Sequence, residues 1–516
     1  MNAVSRALAL GGAGLAQALA IAAPWNGQPQ WWLQLLSLAA LVALLSGFEP
    51  HHWRRAAVQG WGFATVWLCG TFWWLFISMH TYGGMPAPLA ALAVLLLAAA
   101  LALYYAAACA VFVVIAPTSR ALSAILFAAV WTLAELVRGS WFTGFPWGAV
   151  GYAHVDGPLA AAAPWVGVYG VGALAAVIAA LLALSCRPAA RAATRLMPAA
   201  VAVALLLAVS GLAALPESMR GAGASAGRLG VALLQGNIPQ DEKFIPGGGV
   251  ATALRWYGEQ LRDARAPLVI TPETAVPLLP SQLPPGYLDA IAARYSGGTQ
   301  AAIVGLPLGD GHSYRNAVLG FQPDAASPYE YAKHHLVPFG EFIPAGFRWF
   351  TDLMNIPLGD FRRGGLAQAP FAWQGQRIAP NICYEDLFGD EIGASFADAA
   401  TAPTILLNVS NIAWFGDSIA IDQHLAISRM RALEFARPMV RATNTGATVV
   451  IDHRGRVTHA LPRLTRGVLE AEVEGRLGLT PYARWVAHTG LWPLWIGALG
   501  VVLAIWLLGR RRSAAR

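Results

Sequence analysis

The sequence predicts a two-part protein: a multi-pass α-helical membrane domain of eight spans and an exported α/β domain. Three observations carry this. Of 516 residues, 56% are hydrophobic and 12% are charged, and that charge is roughly half of what a soluble protein carries. Apolar stretches long enough to span a bilayer recur through the first 215 residues, with one more near residue 500. Between them, residues 217–488 hold short strand-like apolar runs separated by helical ones. Disorder is excluded, because 20 Trp, 20 Phe and 13 Tyr with so little charge readily bury surface. Four Cys are too few for a disulfide scaffold.

The net charge of +7 resembles a nucleic-acid signal until it is divided along the chain. Residues 217–488 hold 23 Lys and Arg against 25 Asp and Glu, while the rest hold 12 against 3. The basic excess therefore belongs to the apolar parts and their loops, which argues for membrane topology and against a nucleic-acid partner.

The spans read at 7–24, 31–47, 57–78, 88–115, 121–138, 164–186, 197–214 and 489–508. The first two are short or rich in Gly and Ala. Arg6, the Arg54–Arg55 pair, Arg120, the group Arg187, Arg191 and Arg195, and the tail Arg510, Arg511, Arg512 and Arg516 all fall on one side of the alternation. The opposite loops carry no Lys or Arg except Arg138. By the positive-inside rule both termini are cytoplasmic and 217–488 lies on the far side. The domains are then 1–216 with seven spans, 217–488 exported, 489–509 the eighth span, and 510–516 a basic tail. A cleaved signal peptide is the alternative for the first span. Its removal would leave the arginines of the next loop on the wrong side.

Glu135 and Arg138 close the fifth span. Charges in a membrane suggest function, but an interfacial position at a helix end is the preferred reading here. The aromatic run Trp141, Phe142, Phe145 and Trp147 fits an interfacial belt or a lid.

In the exported domain, strand-like runs read at 229–238, 266–277, 299–307, 314–321, 377–385, 402–411, 439–446, 447–452 and 468–474. Several are continuous rather than alternating, as in strands covered on both faces. Helical stretches at 253–265 and 423–436 intervene, so a layered α/β fold is expected. No GxGxxG, P-loop or GxSxG is present, which leaves nucleotide binding and serine hydrolysis without support. His334 and His335 have no HExxH or Cys partner, so no zinc site is expected.

Three residues stand out. Cys383, in NICYED, is the one Cys of 217–488; Cys69, Cys109 and Cys186 fall in or beside spans. A lone Cys in an oxidising compartment is either buried or used. Lys333 is one of two Lys in a chain with 33 Arg, the other being Lys243. A Lys kept against that bias suggests a need for a compact charge or a titratable amine. Glu273 ends an apolar strand, where α/β folds place chemistry, although a turn cap explains it equally well. Together they form a sensible set. A thiol reacts as the thiolate, which needs a base such as Glu273, and Lys333 can stabilise an oxyanion.

These segments resemble the nitrilase and carbon–nitrogen hydrolase superfamily. GNIPQ at 236–240, KHHLVPFGEFIP at 333–344, CYED at 383–386, NVSNIAWFGDS at 408–418 and QHLAISRMRALEFARPMVRATNTG at 423–446 narrow the resemblance. With the surrounding spans, they are similar to the apolipoprotein N-acyltransferase family over essentially the whole chain. The resemblance implies an αββα sandwich with Glu273 as general base, Lys333 as essential lysine and Cys383 as nucleophile. It also implies supporting roles for Glu341, which would place Lys333 or the incoming amine, and for Tyr384 and Glu385, which would shape the nucleophile site or the lipoprotein entrance. Trp414 would line an acyl channel, with ordinary packing the equal alternative. Two positions depart from the family pattern: Ile412 where an acid is common, and Phe244 where Trp is common.

The implied reaction is ping-pong acyl transfer, without metal or nucleotide cofactor, at a bacterial inner membrane. A phospholipid, expected to be phosphatidylethanolamine, acylates Cys383. The α-amine of a diacylglyceryl-modified apolipoprotein then takes the acyl chain. A monomer is expected, and the site should be lined by apolar loops. The main rival is a membrane-anchored amidase acting on small C–N substrates, for which eight spans have no use. A transporter with an exported binding domain is the second rival, but the spans show few paired polar residues.

Overall fold

A computed structural model describes residues 2–187, 192–309, 313–344, 346 and 361–514. Arg191 and Arg516 of the charge pattern lie outside these residues. The chain forms two compact units, one of 1–75, 87–216 and 489–516, the other of 76–86 and 217–488. The segment 76–86, read from sequence as the end of the third span and the loop after it, thus belongs to the second unit.

The first unit is helical. Among the described residues, five helical segments are long and apolar enough to cross a membrane: Ala87–Ile115, Arg120–Thr143, Pro158–Ser185, Leu196–Ala214 and Trp492–Arg511. A sixth candidate joins Trp31–Leu45 to Pro50–Phe72 across a bend of 116°. The first expected span is the 17-residue helix Ala3–Leu19, at the lower limit for crossing a bilayer. Five or six candidates therefore stand where the hydropathy reading expects eight. Close packing within the unit relies on small residues. A Cβ at Gly60 would meet the Tyr105 carbonyl oxygen at 2.9 Å and the Cys109 Sγ at 2.6 Å.

Glu135 and Arg138 lie near the end of helix Arg120–Ser140 and are buried within the protein, each only 1% exposed. The reason is a network that ties the helix to the loop after it. Arg138 donates from Nε to the Tyr105 hydroxyl (2.8 Å) and from its guanidinium to the carbonyls of Phe145 (2.6 Å) and Trp147 (2.7 Å). Glu135 accepts from the Val150 N–H at 2.9 Å, and the two charges lie 4.0 Å apart. The aromatic run divides accordingly: Trp147 is buried, whereas Trp141 and Phe142 are exposed.

Among the described residues, the second unit is built on two six-stranded sheets. The first sheet contains β1 (Ser225–Gln235), β2 (Leu268–Ile270), β3 (Ala301–Gly309), β4 (Tyr314–Phe321), β5 (Tyr329–Ala332) and β12 (Gly467–Arg476), in the order β12-β1-β2-β3-β4-β5. The second contains β6 (Phe371–Trp373), β7 (Gln376–Ile382), β8 (Ile405–Ser410), β9 (Met439–Thr443), β10 (Val449–Ile451) and β11 (Val457–Ala460), in the order β11-β10-β9-β8-β7-β6. The centre of each is parallel: β1 with β2 and β2 with β3, then β7 with β8 and β8 with β9.

Strand alternation explains the layers. Leu229, Val231 and Leu233 of β1 face Ile378, Ile405, Leu407 and Val440 of the other sheet. Ala232 and Leu234 face outward against Ala253, Tyr257 and Leu261 of helix Gly249–Asp263. On the second sheet's outer face, Leu406 and Met439 pack with Ala432 and Phe435 of helix Ala420–Phe435, and with Tyr482 and Val486. Helix, sheet, sheet, helix is the αββα sandwich that the resemblance implies.

The buried charges of the helical unit generate a stability prediction. Arg138→Met leaves Glu135 buried and unpaired, and destabilises the protein by about 3 kcal/mol. The double change Glu135→Gln/Arg138→Met recovers part of that loss. Thermal unfolding of the two variants in one detergent compares them.

Candidate active site

The three residues singled out from sequence sit at strand ends. Cys383 directly follows β7 and Lys333 directly follows β5; Glu273 comes three residues after β2. Such ends are where parallel α/β sheets present chemistry. The fold brings Glu273 and Lys333 together: Lys333 Nζ lies 3.7 Å from Glu273 Oε1.

Glu273 is the hub. Its Oε1 accepts from Asn316 Nδ2 on β4 at 2.6 Å, and its Oε2 accepts from the Asn411 N–H at 2.7 Å. It is 8% exposed. The close approach of β3 sets its backbone, since a Cβ at Gly305 would meet the Pro272 carbonyl oxygen at 2.2 Å. The next residue, Thr274, has φ +47°.

Lys333 pairs with a second carboxylate. Glu341 lies 3.0 Å from Nζ through either oxygen. It also accepts from Asn316 Nδ2 at 2.7 Å and from the Val337 N–H at 2.8 Å. Burial disfavours the Lys333 charge, but Glu341 and Glu273 more than offset this and hold the amine above its ordinary range. It therefore stays an ammonium.

Cys383 sits in the left-handed region, φ +55°, an uncommon conformation for a residue with a Cβ. The side chains that hold it there act on its carbonyl oxygen: Asn408 Nδ2 donates at 3.1 Å, and His424 Nε2 lies at 3.2 Å. His424 in turn meets buried Asp386 at 2.9 Å, and Arg441 meets Asp386 at 3.2 Å. The thiol accepts from Ser410 Oγ at 3.2 Å. Burial pushes the thiol up to about 12 and the Glu273 charge adds to this; Lys333 and the Ser410 hydroxyl pull it down.

The supporting residues divide. Glu341 is in the site, as its ion pair shows. Glu385 acts on backbone, accepting from the N–H groups of His334 (2.6 Å) and His335 (3.2 Å), from Ile382 N–H and from the Tyr331 hydroxyl. It thereby ties the Cys383 turn to the Lys333 strand end. Burial pushes Glu385 up to about 7. Tyr384 is buried against Phe388 and His335. Trp414 packs edge-to-face on Tyr82 of the inserted segment 76–86, with ring centroids 6.1 Å apart. Phe244 is half-exposed, whereas Ile412 is buried.

Sequence reasoning singled out neither Asn316, which bridges two carboxylates, nor Ser410, Asn408 and His424, which hold Cys383. Their residue types are common, and no spacing marked them. Among the described residues, no group of three His, Cys, Asp or Glu is arranged to hold a metal ion.

An αββα sandwich that carries a half-buried Cys383 and a buried Glu–Lys pair at its strand ends has the layout of a carbon–nitrogen hydrolase. The family described as Carbon-nitrogen hydrolase matches residues 230–482, and the Apolipoprotein N-acyltransferase N-terminal domain matches 13–181. A protein from Verminephrobacter eiseniae named apolipoprotein N-acyltransferase is 60% identical over 501 residues, covering 93% of this chain and 92% of its own. One of the same name from Ralstonia nicotianae is 48% identical, covering 94% and 90%. Another, from Bordetella bronchiseptica, is 43% identical, covering 92% of each. The chain belongs to the apolipoprotein N-acyltransferase family.

Two measurements test the geometry. Asn316→Ala frees both carboxylates, and such a loss of alignment cuts turnover on the order of 100-fold; activity assays with protein matched for folding check this. Lys333→Met removes the cation that favours the thiolate. Iodoacetamide labelling of Cys383, followed by peptide mapping against pH, should then show slower labelling at every pH, with the rise displaced upward.

Proposed function

We propose that the chain moves an acyl group from a membrane phospholipid to the α-amine of S-diacylglyceryl cysteine, at a lipoprotein N-terminus, through a thioester on Cys383. Family membership carries the overall reaction, phospholipid-to-apolipoprotein acyl transfer by a multi-pass membrane enzyme. The single observation that supports the residue roles is the buried Glu273–Lys333 pair whose charges act on the Cys383 thiol.

In the first half-reaction Glu273 takes the Cys383 proton as sulfur attacks the sn-1 ester carbonyl. Lys333, an ammonium throughout, stabilises the tetrahedral oxyanion. The lysophospholipid alkoxide leaves with the proton from Glu273, and the acyl thioester remains. In the second half-reaction the acceptor amine attacks the thioester and passes a proton to Glu273. The amide forms, sulfur departs as thiolate, and the proton returns to it. Glu341 keeps Lys333 in place. Glu385 and Tyr384 hold the nucleophile turn, and Trp414 lines the acyl path. Phosphatidylethanolamine is the proposed donor and a monomer the proposed working state.

For the membrane we propose eight spans, with Ala3–Leu19 and each arm of the bent pair crossing separately. Residues 1–216 then form the membrane domain apart from 76–86, residues 489–509 form the last span, and 510–516 form a cytoplasmic tail. The catalytic domain, 217–488, faces the periplasm and both termini face the cytoplasm. The alternation of arginines supports this. Working at the membrane spares the enzyme from extracting a lipid into water, which costs about 0.8 kcal/mol per methylene.

Intact mass spectrometry of the full chain incubated with phosphatidylethanolamine tests the reading. An acyl adduct maps to Cys383, is absent in Cys383→Ala and Glu273→Gln, and disappears when a diacylglyceryl-cysteinyl peptide is added. Hydrolysis of small amides with no adduct would overturn it in favour of an amidase.

A further inference from the structure

Cys383 needs help that the Glu–Lys pair alone does not supply. Two carboxylates, Glu273 and Glu341, share the one ammonium of Lys333. Nearby, Asp386 is matched by Arg441 and His424. Glu385 is held by backbone N–H groups. Glu273 and Glu341 together carry one negative charge more than Lys333 offsets. Each such charge opposes thiolate formation in a buried site.

The other lysine of the chain lies beside this excess. Lys243 is 2% exposed. Its Nζ donates to Thr274 Oγ1 at 2.7 Å and to the Glu273 carbonyl oxygen at 3.3 Å. Both acceptors are neutral, so a buried ammonium here has no contact partner of opposite charge among them. Asp241 and Glu242, on its own loop, are exposed. The segment that carries it is anchored at the strand ends. Ile238 exchanges hydrogen bonds with the Asn444 side chain, and Gln240 accepts from Asn411 Nδ2. A buried lysine on neutral acceptors is costly unless a nearby field rewards its charge.

We infer that Lys243 is a positioning residue and the second cation of the active site: it grips the Glu273–Thr274 turn and balances the paired carboxylates, so that the Cys383 thiolate can form. The inference rests on Glu273 and Cys383 acting as base and nucleophile. The interaction is reciprocal. Burial pushes Lys243 down to about 7, while Glu273 and Cys383 pull it back up. Ionising Cys383 therefore favours a proton on Lys243, and a proton on Lys243 favours the Cys383 thiolate. The grip also bears on backbone geometry, because Thr274 has a positive φ and its hydroxyl is the nearer acceptor.

The test is single-turnover acylation of Cys383 by phosphatidylethanolamine vesicles, with full-length protein, read by intact mass from pH 6 to 9 without amine acceptor. The ammonium is present below its transition and lost above it, so wild-type acylation falls as pH rises through about 7. Glu385 titrates in the same range and is unaltered in the variants, so the difference between proteins reads Lys243. Lys243→Arg keeps its charge across the range and removes that part of the fall. Lys243→Met lowers the rate at pH 6.5 by about tenfold, as one unit of thiol pKa would. If Lys243→Met does not fold, Lys243→Arg decides alone. A Lys243→Met protein with wild-type rate and profile, or a Lys243→Arg protein that keeps the whole fall, overturns the inference. Absence of any adduct on wild-type Cys383 instead overturns the triad reading beneath it.

Discussion

The site depends on how the Glu273 carboxyl group is held and aimed. A carboxylate at 8% exposure survives only if its oxygens are satisfied by hydrogen bonds and countercharge. Here one oxygen takes an amide from β4, the other a backbone N–H just beyond β8, and an ammonium stands 3.7 Å away. Those donors come from both sheets. The apolar layer of Leu233, Ile270, Ile382 and Val409 between the sheets is therefore also what sets the reach from each strand end to the carboxylate. Packing and chemistry are coupled through the sandwich spacing.

Cys383 is organised from the opposite side. Its backbone conformation is unfavourable, its carbonyl is engaged by Asn408 and His424, and its sulfur receives one hydroxyl. Strain held by buried hydrogen bonds fits a residue whose direction must not vary. At rest the thiol stays protonated. That protects it from oxidation, since thiolate character governs reactivity.

Much of this was legible in the sequence. Nine strand-like runs each overlap a strand, and the central ones are continuous because strands covered on both faces leave apolar runs. Three strands gave no signal. β5 and β6 are edge strands of four and three residues, and β11 is exposed along its length. Cys383, Lys333 and Glu273 stood out because each is rare or oddly placed for its surroundings. Asn316, Ser410, Asn408 and His424 did not, because they act through hydrogen bonds that exist only once the ends of β4, β7 and β8 and helix Ala420–Phe435 come together. Lys243 was visible as one of two lysines, but nothing in sequence put it next to Glu273. The burial of Glu135 and Arg138 was hidden for a similar reason: their partners, Tyr105 and the carbonyls of Phe145 and Trp147, become neighbours only on folding.

The segment 76–86 lies more than a hundred residues upstream of the rest of its unit. Tyr82 meets the Trp414 ring, and Ile77 lies within van der Waals reach of any Cβ added at Gly416. The unit is therefore discontinuous in the gene. Cutting the chain at 217 would yield a fragment with an unfilled notch beside Trp414, short of part of its own packing. Domain shuffling cannot exchange this catalytic unit as a simple cassette. Any recombination must preserve the upstream segment 76–86 as well, which binds the inheritance of this half to that of the apolar half.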